Sequence, residues 1–159
     1  MKSSEQDPTQ AGSFEGSDSK RILFVDDESA LLHLFDKIFG RELQVVTAST
    51  AEDALALVRE GQVFDAIIVD LHLPGMGGRG LLNQLIALHP ALGHRVAFIS
   101  GDTDGPESRA FLTSIPNLHL GKPFELEHLR SFVCDVLRRA SRVDASAAVF
   151  PASVPRASL

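Results

Sequence analysis

Five short runs of Ile, Val, Leu and Phe recur along this chain, centred on residues 22–25, 44–47, 66–69, 95–99 and 118–120. Dense in apolar residues and too short for helices, they read as strands buried on both faces, as a parallel sheet requires. Between them the apolar period becomes helical. Leu31, Leu34, Phe35 and Ile38 fall at i, i+3, i+4 and i+7, as do Ala51, Ala54, Leu55 and Val58. Leu81, Leu82, Leu85 and Leu88 make a third stripe, and Leu126, Leu129, Val133, Val136 and Leu137 the last. A shorter helix is expected from about Pro106 to Ser114. Thr50 followed by Glu52 and Asp53 marks a helix start, Gly61 a stop, and Pro90 closes the third helix.

Strands alternating with helices predict an α/β fold with right-handed crossovers and helices on both faces of a parallel sheet. Of the two common strand orders, the flavodoxin-like 2-1-3-4-5 makes strands one and three neighbours at the switch point, where such sheets bind ligands. The polar residues ending the runs favour that order. Asp26 and Asp27 follow the first run, Asp70 the third, Ser100 the fourth, and Lys122-Pro123 the fifth after one glycine. A doubly wound (βα)5 sheet in the order 2-1-3-4-5 brings all of them together.

Three converging carboxylates repel, and without compensation one would take up a proton. A hard divalent cation with oxygen ligands keeps them ionised, and Mg²⁺ suits one or two carboxylates plus water and phosphate oxygens. Lys122 adds a compact positive charge and Ser100 a hydroxyl donor. An ionised aspartate is also a nucleophile able to form an aspartyl-phosphate. Phosphoryl transfer asks mainly for positioning and for neutralisation of the equatorial oxygens.

The rest of the sequence removes other readings. A net charge of −6 argues against a nucleic-acid partner, which needs clustered Lys and Arg. Cys134 is the only cysteine and sits in an apolar stripe, so it reads as an inert packed thiol in a reducing compartment. No apolar run approaches the ~20 residues that span a bilayer, and the first twenty residues lack a signal-peptide segment, so a cytoplasmic protein without membrane contact is expected. Residues 1–19 are polar, with Phe14 their one large apolar side chain, and read as a disordered leader or linker. Residues 141–159 read as a second loose end, leaving one domain at 20–140. The six histidines show no zinc-ligand spacing. The glycines at 75, 77, 78 and 80 lack the phosphate-loop pattern and read as a flexible active-site loop.

Four segments carry a specific resemblance: Phe24-Val25-Asp26-Asp27-Glu28, the stretch from Val69-Asp70 to Gly78, Ser100-Gly101-Asp102, and Lys122-Pro123-Phe124. From about Lys20 to Arg139 the chain resembles a receiver domain of the two-component response-regulator family, whose chemotaxis member illustrates this strand order. The resemblance implies that Asp70 accepts a phosphoryl group from a partner's phosphohistidine. It implies Mg²⁺ held by Asp27, by Asp26 through water, by Asp70, and by the backbone carbonyl of His72. Lys122 would grip the phosphoryl group, the bond before Pro123 would be cis, and Ser100 would be the switch hydroxyl. His119 stands where many relatives carry a rotating aromatic, and His72 and Asp102 flank the site where relatives vary.

The implied protein is a signalling switch that catalyses only its own phosphorylation and dephosphorylation. It would be a single-domain regulator or the receiver of a hybrid histidine kinase, monomeric or weakly dimeric when phosphorylated. Its partners would be a histidine kinase or histidine phosphotransfer protein and a downstream protein target. Two other classes compete. A receiver-like docking module never phosphorylated would usually lack an acid or the lysine, and this chain keeps them. An aspartyl-nucleophile phosphatase of the haloacid dehalogenase type would need a second Asp two positions after the first, where Glu28 stands.

Overall fold

The computed structural model describes Phe14, residues 19–101 and residues 105–147, with side chains to Asp144. Within them β1 (Arg21–Val25), α1 (Ser29–Phe39), β2 (Gln44–Ala48), α2 (Ala51–Arg59), β3 (Ala66–Asp70) and α3 (Gly77–Leu88) follow in order. A 3₁₀ turn (Pro90–Arg95) leads to β4 (Val96–Gly101), α4 (Pro106–Ser114), β5 (His119–Lys122) and α5 (Leu126–Ala147). All pairings are parallel and the order is β2-β1-β3-β4-β5, the expected flavodoxin-like sheet.

Alternation along each strand divides the core in two. Leu23, Val25, Ile67, Val69 and Phe98 face α2 and α3, packing on Ala54, Leu55, Leu81 and Leu85. Ile22, Phe24, Ile68, Ala97 and Ile99 face α1 and α5, packing on Phe35, Phe39, Leu129 and Val133. Both faces of β3 are therefore buried, which is why its sequence is apolar without alternation. The local signals act as read. Thr50 Oγ1 accepts from the Asp53 N–H at 3.0 Å, and Gly61 takes φ +92° just past α2. Cys134 is buried, and burial raises its thiol pKa, in keeping with an inert packed group.

Four expectations need correction. The edge strands β2 and β5 are only partly buried, unlike the three between them. Gly77, Gly78 and Gly80, expected in a flexible active-site loop, lie in the first turn of α3. The buried stripe of α1 is Leu32, Phe35 and Phe39, whereas Leu34 is 43% exposed. Stacking of Phe35 and Phe39 on Phe24, at 4.3 and 5.7 Å between ring centroids, sets the helix's rotation. The last helix also continues to Ala147, past the expected boundary at residue 140. Ala and Arg in this stretch are good helix formers, and Asp144 pairs with Arg95 at 3.1 Å. The rest of the expected tail, residues 148–159, and the expected leader apart from Phe14 and Ser19 lie outside the described residues, as does Asp102.

Candidate metal and phosphoryl site

The strand register assembles the site. Val25 lies opposite Val69, so Asp26 emerges level with Asp70, the last residue of β3. Asp70 lies opposite Ile99, placing Ser100 one step farther along β4. Gly101 lies opposite Lys122, so the lysine leaves the outermost of these strand ends, and its four-carbon stem turns back over the acids. Asp26, Asp70 and Ser100 are buried while Asp27 is exposed.

Lys122 Nζ lies 3.2 Å from Asp26 Oδ2 and 3.4 Å from Asp70 Oδ2. The other oxygen of each carboxylate accepts a backbone N–H two residues on, from Glu28 to Asp26 Oδ1 at 2.9 Å and from His72 to Asp70 Oδ1 at 3.0 Å. Glu28 is the N-cap of α1 and makes no side-chain cap bond. One carboxylate oxygen from each of Asp26, Asp27 and Asp70 lies within 4.8 Å of the other two. Hard oxygen donors in such a cluster fit a divalent cation of the Mg²⁺ or Ca²⁺ type.

Electrostatics follow from burial and crowding. Burial is the main force raising the Asp26 pKa above 3.8, and Asp70 adds to it; the Glu28 N–H and Lys122 oppose. For Lys122 burial disfavours the charge, but Asp26 and Asp70 together outweigh it and raise its pKa above 10.5. The lysine is held protonated where it faces the acids.

The Lys122-Pro123 bond is cis, as expected. His119 opens the edge strand β5 opposite Phe98 and is exposed, three residues before Lys122 and outside the acid cluster. Sequence reasoning missed two supporting contacts. His72 Nε2 lies 3.3 Å from Ser108 Oγ, linking the loop after β3 to α4. Gly78 donates its N–H to the Leu71 carbonyl at 3.2 Å, and a Cβ there would stand 2.7 Å from the Asp70 carbonyl oxygen. The glycine after the Pro-Gly turn was the one available signal for that close approach.

Residues 22–133 match the sequence profile of the response regulator receiver domain. This chain belongs to the response regulator receiver family. Among curated relatives, a two-component response regulator of Arabidopsis thaliana is 34% identical over 124 residues, covering 75% of this chain and 31% of that protein. Another, from Oryza sativa subsp. indica, is 34% identical over 121 residues, covering 75% of this chain and 19% of its own length. The match thus spans about a third or less of these relatives. A response regulator receiver domain protein of Methanospirillum hungatei JF-1 superposes with TM-score 0.66 at 27% identity, covering 79% of this chain and 98% of that one. A Clostridium thermocellum receiver domain, at 23% identity and TM-score 0.66 over 78% of this chain and 98% of its own, shares the fold.

Proposed function

We propose that this receiver is a phosphoacceptor switch of a two-component system, with Asp70 as the acceptor. The observation carrying this reading is Lys122 Nζ bridging Asp26 and Asp70 within a cluster of three carboxylates. Such an ammonium already sits where negative charge gathers during phosphoryl transfer.

Asp26, Asp27, Asp70 and the His72 backbone carbonyl would hold Mg²⁺, which when bound supplies charge neutralisation to the phosphoryl oxygens. The chain's own groups do the rest. An Asp70 carboxylate oxygen attacks the phosphorus of a partner's phosphohistidine; the P–O bond forms as the P–N bond breaks, and the imidazole leaves with the electron pair. The His72 N–H fixes the Asp70 carboxylate in orientation, and burial on β3 limits its solvation. Lys122 is free to exchange a carboxylate contact for a phosphoryl oxygen, and Ser100 can donate its hydroxyl to another. Attack by water on the acyl phosphate returns aspartate and inorganic phosphate, so the chain turns over only its own phosphoryl group.

A histidine kinase or histidine phosphotransfer protein would dock near α1 and the site's loops. A downstream target would read α4, β5 and α5, the face on which His119 is exposed. A cytoplasmic setting suits such partners; no helix among the described residues is long and apolar enough to cross a membrane. With no Trp or Tyr in the sequence, intrinsic fluorescence cannot follow the reaction, and a phosphate-affinity gel or NMR can. Incubation with acetyl phosphate or beryllofluoride and Mg²⁺ should modify the wild type and leave Asp70→Asn unmodified. A folded sample that takes up neither reagent would point to a docking module and sink the proposal.

A further inference from the structure

We propose that the seam between α1 and α5 is a docking site for an aromatic side chain, and that Phe14 of this chain is its occupant. The inference is independent of phosphorylation. Phe14 is the one aromatic residue among the first nineteen, set between polar neighbours. Its ring meets Phe39 edge-on, with centroids 6.0 Å apart and planes at 76°. The Arg130 guanidinium lies 5.5 Å from the Phe14 centroid and 5.9 Å from that of Phe39, within range of cation–π attraction to both.

Contacts that do not involve Phe14 also hold the seam's guanidinium. Arg130 is oriented by Glu42 Oε1 at 2.7 Å and by the Ile38 carbonyl at 3.4 Å, while Phe39 is fully buried. A guanidinium aimed in advance loses less freedom on meeting a ring. The aromatic contacts then continue inward from Phe39 to Phe24, two residues before Asp26. Phe39 ends α1 on the approach to β2, at the opposite end of the sheet from the acids. The docked ring is therefore a strap on the α1–α5 flank that leaves the phosphoryl site open, and a partner burying Arg130 on that flank must displace it.

Phe14→Trp introduces the sole indole and reports docking directly. Its emission should be blue-shifted, and its quenching by acrylamide markedly slower in the native protein than in urea. A double-mutant cycle on the full chain, Phe14→Leu against Arg130→Gln, should show coupling of about two- to fivefold in the unfolding equilibrium, the range of an exposed cation–π contact. The loss of the Glu42 partner cancels in the cycle. An indole at 14 as quenchable as free tryptophan, or strictly additive substitutions, overturns the assignment.

Discussion

Lys122 is the residue on which the site's charges balance. Its pKa stands above 10.5 because two facing carboxylates outweigh its partial burial. A base whose folded pKa exceeds the unfolded one stabilises the fold fully below the unfolded value, and the gain is lost as pH rises through the folded value. In metal-free buffer, Lys122→Met should cost about 1–3 kcal/mol, because Asp26 and Asp70 lose their counter-charge. Urea titrations should find that difference constant through neutral pH and shrinking above 10.5. A difference that instead grows in alkali would remove Lys122 as the counter-ion.

At the scale of elements, the close seat of α3 against β3 controls the position of Asp70. The N-terminal turn of α3 approaches so near that a methyl at residue 78 would meet the Asp70 carbonyl. Gly78→Ala should therefore destabilise the protein by about 1–3 kcal/mol in chemical denaturation, as overpacking does. It should also weaken Mg²⁺ binding, because the strand end must shift. Elements were legible where one period dominates: the β3 run Ala66-Ile67-Ile68-Val69 admits no other reading, and Asp70 follows from it. Helix α1 was less legible because Leu31, Leu32, Leu34, Phe35, Ile38 and Phe39 crowd more than one face. Helical spacing holds for either stripe, and only the tertiary stack on Phe24 chooses between them. The extension of α5 was hidden for the opposite reason. Few apolar residues mark it, and its anchoring pair, Arg95 with Asp144, spans elements far apart in sequence.

Over the whole molecule, binding and folding are linked through Asp26. A carboxyl group whose folded pKa is raised above 3.8 destabilises the fold where it is ionised, so this contribution worsens as pH rises from 3.8 through the folded value. A cation bound there recovers the loss and competes with the proton. Thermal melts should show Mg²⁺ stabilising the protein by about 2.7 kcal/mol at a hundredfold excess over its Kd at neutral pH. The increment should fade as pH drops through the Asp26 titration, and Asp27→Asn should reduce it throughout. Which acids met was legible from the strand order; that Lys122 would bridge two of them, and that Phe14 would find a seam, depended on contacts no local pattern encodes.

The bridge from Lys122 to Asp26 spans 96 residues, and that to Asp70 spans 52. A polypeptide made from its N-terminus meets its acids early and their counter-charge late. Until β5 has been synthesised and paired, a nascent chain holds crowded carboxylates with no ammonium among them, and until α5 follows, the Ile22–Phe24 face of β1 lacks half its cover. The Lys122 bridge therefore forms only once β5 is in place, and a ribosome stalled before residue 119 would carry two buried acids that nothing yet neutralises.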